Sequence, residues 1–486
     1  MKLGTRATPW STAEPVGRLY LNLIRDSTWN VRRVETIRLL DQDLVERKVS
    51  LDVNIQDLRR RVEKAGFRGI KTIPLPIFTQ VKTLMLDLDI RMGNGEAVPL
   101  ATSAEDSWIA YSMLLCVAAE HGLDPETFST PLLEAIYACV RHLPDEVELQ
   151  AIRRIDSDDR VTDYWASRAS DLFSANSDRD AWEKLFAIPQ FAALARDFTL
   201  KSMAIARIGL SKTRTGIVKY RYVDVASPSE LAAAEAWGLE DFLYFVAADS
   251  IGFAQREHTR VLAPDGMEIT DIILWERAEA GADASVPFSV SAQRYHRRAS
   301  AERGVIYTRR LPKGSYTVGV RLQPRVEELV APALFSVGLT STLLAIFAAL
   351  QLLHSYYFDQ VTADDGILGK VDTDSLTTTL LLVPTLLSLF LVRPREHSMV
   401  GRLLLRVRVL VLVTAFCMIA SASAVALGVQ GPVLGGIFAL GFVVSAIVLV
   451  VLVIAYIRAQ RRSDSIRRQR RSVAVGNIAI SSVLPD

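Results

Sequence analysis

The clearest pattern in the sequence is a change near residue 329, where charged side chains give way to long uncharged stretches. Residues 329–353 contain no charged side chain over 25 positions, and residues 375–392 contain none over 18 positions. A helix needs about 20 residues to cross the hydrocarbon core of a bilayer, with a lower limit near 17. Both stretches are therefore predicted to be transmembrane helices.

A third uncharged stretch separates Arg408 from Arg458 and is 49 residues long, more than one span requires. It must fold back on itself, and the sequence Gly-Val-Gln-Gly-Pro at 428–432 provides the turn. Glycine permits tight backbone conformations, and proline is favoured in the first turn of a helix. Two spans, 409–427 and 432–457, complete a predicted four-helix transmembrane bundle.

The charges that flank these spans predict their orientation, because lysine and arginine are retained on the cytoplasmic side. Both termini are predicted to be cytoplasmic, and the chain is predicted to lie in the cell inner (plasma) membrane. The loop between the first two spans is acidic and predicted to lie outside; it contains Asp359, Asp364, Asp365, Asp372 and Asp374. The arginines predicted to contact anionic lipid at the cytoplasmic surface are Arg393, Arg395, Arg402, Arg406, Arg408, Arg458, Arg461, Arg462, Arg467, Arg468, Arg470 and Arg471.

In the residues that precede the first predicted span, the pattern of apolar and polar positions predicts a folded α+β cytoplasmic region. Alternating apolar and polar residues at 45–55 and 84–92 predict strands in a β-rich segment. Helical patterns then follow at 103–122, 125–143, 162–173 and 180–208. Seven short strands between 217 and 322, separated by turn residues, predict an immunoglobulin-like β-sandwich. The predicted units are an extension 1–30, an α+β domain 31–209, a β-sandwich domain 216–326, the membrane bundle 329–457 and a basic tail 458–486.

Composition narrows the classes of function. The first 328 residues hold 43 basic and 46 acidic side chains, so no nucleic-acid partner is predicted. Cys116 with His121 and Cys139 with His142 are the only spacing that resembles metal ligands. The two pairs fall at opposite ends of a predicted helical hairpin, about 20 Å apart at ~1.5 Å per residue, whereas zinc ligands lie about 2 Å from the metal. No metal site and no cofactor are predicted.

Residues with the chemistry of an active site are few. Asp87 and Asp89 share one strand face and could act as an acid–base pair, but alternation already places polar residues there. Glu257, His258 and the segment 295–298 are interpreted as surface strand or loop residues. The sequence contains no phosphate-binding loop, nucleophile elbow or zinc-protease motif, so no catalytic residue is assigned.

The membrane half limits function as well. No ionisable group lies within the predicted spans, whereas ion-coupled transporters place such groups there. Small residues offer smooth faces for helix contact; they are Ala420, Ala424, Gly428, Gly431 and Gly435. These faces favour packing within one chain, with a homo-oligomer interface as the alternative.

One stretch and the layout around it resemble a known group of proteins. The stretch DLDIRMGNGEAVPLATSAEDSWIA at 87–110, the β-rich segment before the first span and the four-span end are together similar to uncharacterised actinobacterial multi-pass membrane proteins. The resemblance implies no activity, cofactor or functional residue.

Three functions fit these observations. The leading hypothesis is a non-enzymatic membrane protein whose cytoplasmic domains bind a protein partner or small ligand, with the bundle as anchor or signal transmitter. The first alternative is a channel or membrane-disrupting effector gated by the cytoplasmic region, with the acidic loop at its mouth. The second alternative is a membrane-tethered enzyme with an unrecognised site.

The predicted orientation can be checked by cysteine labelling. We expect Asp365→Cys to react with a membrane-impermeant maleimide in intact cells or spheroplasts, because the acidic loop is predicted to face outward. Ser463→Cys, in the predicted cytoplasmic tail, is the matched control and should react only after permeabilisation. The wild-type chain measures the background from its three natural cysteines. Labelling of position 365 only after permeabilisation would show that the orientation is the reverse of the predicted one.

Overall fold

The structure of the protein is a computed structural model. It describes residues 7–41, 44–82, 86–142, 165, 172–210, 214–225, 242–248, 251–276, 288–289, 295–312, 314, 316–325, 330–357, 400–401, 405–429 and 432–481.

Helices form one side of the region before the membrane, and three further helices end the chain. The N-terminal helices are Trp10–Arg25 (α1), Ile55–Lys64 (α2), Ser103–Glu120 (α3), Thr130–Arg141 (α4), Asn176–Phe186 (α5) and Pro189–Leu200 (α6). The later helices are Ala331–Tyr357 (α7), Leu405–Ala426 (α8) and Pro432–Ser481 (α9).

The strands occupy two parts of the chain. The first part contains Asn30–Leu39 (β1), Leu44–Asn54 (β2), Thr72–Val81 (β3), Leu86–Met92 (β4), Lys201–Gly209 (β5) and Thr215–Val225 (β6). The second contains Phe242–Ala247 (β7), Arg256–Leu262 (β8), Met267–Glu276 (β9), Phe288–Ser289 (β10), Tyr295–Ala299 (β11), Arg303–Arg309 (β12) and Tyr316–Pro324 (β13).

Helix α3 is the centre of the helical layer, and its start follows from side-chain capping. Thr102 accepts a hydrogen bond from the backbone of Glu105, whose carboxylate accepts one from the backbone of Thr102. This reciprocal capping box satisfies two amides that a helix start leaves without partners. The helix predicted at 103–122 is therefore present as Ser103–Glu120.

The segment predicted as an extension, 1–30, forms helix α1 and packs against α3. Gly17 lies at the contact, where a side chain would overlap the carbonyl oxygen of Ser112 and the Sγ of Cys116. The buried Tyr20 donates a hydrogen bond to the carbonyl of Pro74 in β3. Helix α1 is therefore part of the first hydrophobic core, together with α3, α4, α6 and the β3–β5 pair.

The largest sheet has seven strands in the order β11-β12-β8-β1-β2-β6-β4. β1 and β8 are parallel, and all other neighbours are antiparallel. A second sheet, with the order β10-β9-β13-β7, packs against one face of the first, and their side chains share a second hydrophobic core. β3 and β5 form a separate antiparallel pair.

Strand pairing joins the two predicted units that precede the apolar helices. Strands from the predicted sandwich domain, 216–326, alternate in one sheet with strands from the predicted α+β domain, 31–209. The link is the parallel pairing of β1 with β8, in which Val34 aligns with His258. Each strand has a buried face that needs a partner, and turn spacing does not reveal that the partner comes from a distant part of the chain. The region is a mixed α/β structure.

Two predicted helices differ as well. The helix predicted at 180–208 ends at Leu200, and residues 201–209 form β5 instead. Met203, Ala204, Ile205 and Ala206 are all buried, and periodicity alone does not separate such an apolar run from a buried helix. The helix predicted at 162–173 falls largely outside the described residues.

Three helices are long and apolar enough to cross a membrane: Ala331–Gln351 within α7, Leu405–Ala426, and Pro432–Arg458 within α9. The predicted span 375–392 lies outside the described residues. Gly428 has a φ of 71°, and its N–H donates to Val425, as expected for the predicted turn between the last two spans. The helices share a core that includes Leu344, Met418 and Phe438.

The close contact between α1 and α3 can be tested with Gly17→Ala. The added methyl group overlaps a backbone carbonyl that can move only if α3 shifts, and overpacking of this kind costs about 1–3 kcal/mol. We expect a corresponding loss in the free energy of unfolding, measured with denaturant and tryptophan fluorescence in detergent. Gly209→Ala is the matched control, because its added methyl group meets no atom within 4 Å. Equal losses in the two variants would contradict the proposed overlap.

Candidate functional site

The described residues contain three groups of side chains with functional chemistry. The first is a buried ionic cluster on the inner face of the seven-stranded sheet. Glu35 is 0 % exposed and lies 2.9 Å from both Arg33 and Arg47. Arg47 also contacts Asp224 at 3.2 Å and donates to the carbonyl of Ala247 at 2.7 Å. Burial alone would raise the pKa of Glu35, but the two arginines outweigh it and hold that pKa below its usual range.

The position of this ionic cluster explains its role. On β2, Val49 and Leu51 belong to the first core, and Val45 belongs to the second. Arg47 lies between them on the same strand face, so the cluster occupies the junction of the two cores. Buried ion pairs of this kind favour one register over others, although they add little net stability. We assign the cluster a structural role.

The second group surrounds Asp106 and is the nearest approach to an enzyme-like site. The Asp106 carboxylate accepts a hydrogen bond from the backbone of Met203 at 3.2 Å. Burial raises its pKa to about 7, while the Met203 amide and the charge of Lys82 act in the opposite direction. Lys82 donates to the carbonyls of Val140 and His142, at 2.6 and 2.9 Å, and so caps the end of α4.

The remaining groups near Asp106 are poorly suited to catalysis. Burial raises the pKa of Cys139 to about 12, so its thiol stays protonated, and it lies 3.3 Å from the hydroxyl of Thr199. Burial also lowers the pKa of Lys82 to about 8. The Lys82 ammonium group nevertheless donates hydrogen bonds to two backbone carbonyls. These contacts join α3, α4 and β5, which is a structural function.

The third group is exposed, and it lies on the outer face of strands β8, β11 and β12. Residues alternate along β8, so that Glu257, Thr259 and Val261 are buried while the residues between them face outward. The same alternation holds for β12 near Tyr307. We call the outward-facing group the basic face; it consists of Arg256, His258, Arg260, His296, Arg298, Arg303, Tyr307, Arg309 and the adjoining Arg310.

The basic face differs from the rest of the same sheet in how its charges are neutralised. On β1, β2, β4 and β6 four outward-facing cations are paired: Arg32 with Asp52 at 2.8 Å, Lys48 with Glu46 at 3.2 Å, Arg91 with Asp89 at 2.9 Å, and Arg221 with Glu46 at 2.6 Å. Within the described ranges, Arg38 on β1 and Lys219 on β6 are exposed cations of that surface without a carboxylate partner. Across the described part of the chain, five arginines of the basic face have no carboxylate partner; they are Arg256, Arg298, Arg303, Arg309 and Arg310. Their positive charge is available to an anion.

A groove of about 520 Å³ lies at the edge of the basic face. It is lined by His296, the segment Tyr307–Arg310 and the following Leu311 and Pro312. Arg310 has a φ of 52°, which is uncommon for a residue with a side chain, and its N–H donates to the carbonyl of Gln255. This turn ends β12 and places two consecutive arginines in the lining of the groove. The volume is within the range of small-molecule sites.

The sequence-predicted residues take different places. Glu257 points inward and accepts hydrogen bonds from Gly252 and Thr308, whereas His258 points outward, so these neighbours belong to opposite faces. Asp87 lies 3.3 Å from Arg221, and Asp89 is paired with Arg91. Cys116 is buried, and burial raises its pKa to about 12. Over the described ranges, no three metal-ligating side chains come together.

The structure describes only some of the residues that were predicted to lie at or within the membrane. Arg406 and Arg408 lie in the first turn of α8, and the tail from Arg458 onward continues as part of α9. The acidic loop, Arg393, Arg395 and Arg402 fall outside the described residues. Among the small residues, Ala424 is buried, and a side chain at Gly435 would come within 3.2 Å of Gln351. Ala420 and Gly428 are exposed, and Gly431 falls outside the described residues.

Sequence reasoning treated the components of the basic face as separate surface residues. The signal was present as Arg256, His258 and Arg260 at two-residue spacing, but the other strands had to be placed beside β8 before their charges formed one surface. No protein-family model and no curated protein matches the sequence, so the assignment of this site rests on its own geometry.

The pKa of Asp106 generates a test of pH dependence. The pKa of this group is about 7 in the folded state, against an ordinary value near 4, so the folded state binds the proton more tightly. Stability is therefore lost as the pH rises through this interval, by about 2–3 kcal/mol between pH 5 and pH 8. In Asp106→Asn, we expect unfolding free energies that depend less on pH by that amount. Asp89→Asn, which alters an exposed carboxylate, should keep the wild-type slope.

Proposed function

We propose that the chain is a multi-pass inner-membrane protein whose cytoplasmic region binds a small anionic ligand on the basic face. The membrane helices anchor that region and respond to the bound ligand. Four spans with both termini in the cytoplasm, and a basic tail held against anionic lipid, complete the proposed arrangement.

The observation that carries the proposal is the continuity of the second hydrophobic core. This core contains Val261 of β8 and Ile306 of β12, whose strands present the basic face on their opposite side. It also contains residues of the membrane helices: Val337, Val407, Val411, Val448 and Leu452. A ligand bound to the basic face would draw β8 and β12 together. Their inward-facing side chains would then move, and these side chains pack in the same core as residues of the membrane helices.

Close packing makes such a route effective, because protein interiors are dense and transmit displacements. Coupling still requires that the ligand interacts differently with two arrangements of the helices. The unpaired arginines supply a reason, because their mutual repulsion is relieved when an anion binds between them. Arg256 and Arg309 are directly opposed across β8 and β12, so repulsion acts between two strands of the shared core.

The polar groups of the membrane helices favour an anchor or transmitter over a channel. Thr340 donates to Ser336, Thr414 donates to Val411, and Ser421 donates to Cys417. Each hydroxyl thus bonds within its own helix, which is common for serine and threonine in membrane helices. The described lengths of these spans hold no acidic or basic side chain in their interior that would mark an ion pathway.

The proposal is tested by hydrogen exchange on the full chain in nanodiscs, with inorganic pyrophosphate as the probe anion. We expect slower exchange in β8 and β12 and, through the shared core, at the helix ends 331–337 and 405–411. Arg256→Ala should abolish both effects. Arg91→Ala is the matched control, because its guanidinium is already paired on the same sheet.

Two outcomes would contradict the proposal separately. Protection restricted to the strands would show that binding occurs without transmission to the helices. Absence of protection at every segment would remove the anion site itself.

A further inference from the structure

The arrangement of rings on the basic face indicates the class of anion. His296, Tyr307 and His258 occupy directly opposed positions on β11, β12 and β8, and so form a row across three adjacent strands. The Tyr307 and His258 rings lie 4.1 Å apart at 33°, and the Tyr307 side chain is 44 % exposed. A partly exposed aromatic ring that packs against a second ring offers a stacking surface.

His258 is held in a state that suits this packing. Its Nε2 accepts a hydrogen bond from the Nε of Arg260 at 3.2 Å. Burial, together with the charges of Arg260 and Arg32, lowers the pKa of His258 and so favours its neutral ring. The hydrogen bond from Arg260 therefore orients the His258 ring and brings positive charge close to the ring row.

Arginines flank the ring row at a constant spacing. Arg309 and Arg256 lie two residues from Tyr307 and His258 along their strands and oppose each other directly. Two residues of a strand span about 7 Å. A planar base stacked on Tyr307 would thus place a phosphate chain, joined through a sugar, over this arginine pair, with Arg310 at the end of the groove. Guanidinium groups bind phosphate with paired hydrogen bonds.

The remainder of the sheet limits the length of the ligand. Beyond β1, which separates them from the basic face, β2 presents Glu46 and Asp52 and the edge strand β4 presents Asp87 and Asp89 on the same outer surface. These carboxylates are paired with neighbouring cations, so a long polyanion that crossed the sheet would find most of the cations there already neutralised. The arginines of the basic face that have no carboxylate partner lie on three strands and the turn after β12, and the groove has the volume of a small-molecule site.

We propose that the basic face binds a mononucleotide that carries two or more phosphates. The base stacks on Tyr307, and the phosphates contact Arg309, Arg256 and Arg310. The inference rests on the proposed function, because it assigns the chemical class of the anion that the face was inferred to bind. It requires no covalent step.

The experiment is calorimetric titration of the full chain in nanodiscs with ADP, inorganic pyrophosphate, adenosine and a short oligothymidylate. ADP should bind at least about tenfold more tightly than pyrophosphate, because stacking adds to phosphate contact. Tyr307→Ala should lower the affinity for ADP to that for pyrophosphate and leave the affinity for pyrophosphate unchanged. Tyr307→Phe keeps the ring and should retain ADP affinity.

Arginine variants give the complementary result. Arg309→Ala should weaken the binding of ADP and of pyrophosphate alike, by about tenfold, because it removes a charged hydrogen-bond donor. Arg91→Ala should change neither. These side chains are exposed, so unchanged unfolding midpoints are expected and are measured in parallel.

Each adverse outcome has a distinct meaning. Equal affinities for ADP and pyrophosphate, insensitive to Tyr307→Ala, would overturn the nucleotide assignment and leave the anion site intact. Tighter binding of the oligothymidylate than of ADP would replace the mononucleotide with single-stranded nucleic acid. Failure of every anion to bind would overturn both this inference and the proposed function.

Discussion

The parallel pairing of β1 with β8 is the interaction on which the rest of the N-terminal α/β region depends. It joins residues 32–38 to residues 256–262, far apart in the chain, and so fuses two sets of strands into one sheet. Without this pairing, β8, β11 and β12 would lose their connection to β2 and to the first core. Its register also decides which side chains are buried, since a shift of one residue would exchange the two faces.

The same register explains why charge occurs in two contrasting environments. On the inner face it places Arg33 beside Glu257, while the antiparallel register of β1 with β2 brings Glu35 within reach of Arg47. There each charge is buried and needs a partner, because an unpaired buried ion is strongly unfavourable. On the outer face it aligns Arg32 with Arg256, where water screens repulsion and arginines can remain without carboxylates. The structure therefore tolerates unneutralised charge only where a ligand could reach it.

Sequence predicted those features that depend on local pattern. The length of the uncharged stretches located three helices that can span a membrane. The alternation of apolar and polar residues located β2, β4 and most strands of the later region. It failed where tertiary contact decides the conformation. β5 reads as a continuation of α6 because both of its faces are buried, and α1 gave no sign that a glycine would pack directly on α3. The basic face was missed because its arginines come from three strands whose order is set by pairing, not by sequence spacing.

The length of α9 has a mechanical consequence. The helix has 50 residues, of which those after Arg458 extend beyond the apolar span as one continuous rod. At ~1.5 Å per residue, this part reaches about 35 Å from the membrane boundary. A tilt of the span by only a few degrees would displace the far end of such a lever by several ångströms, so a small motion inside the bilayer becomes a large one at its arginine-rich end.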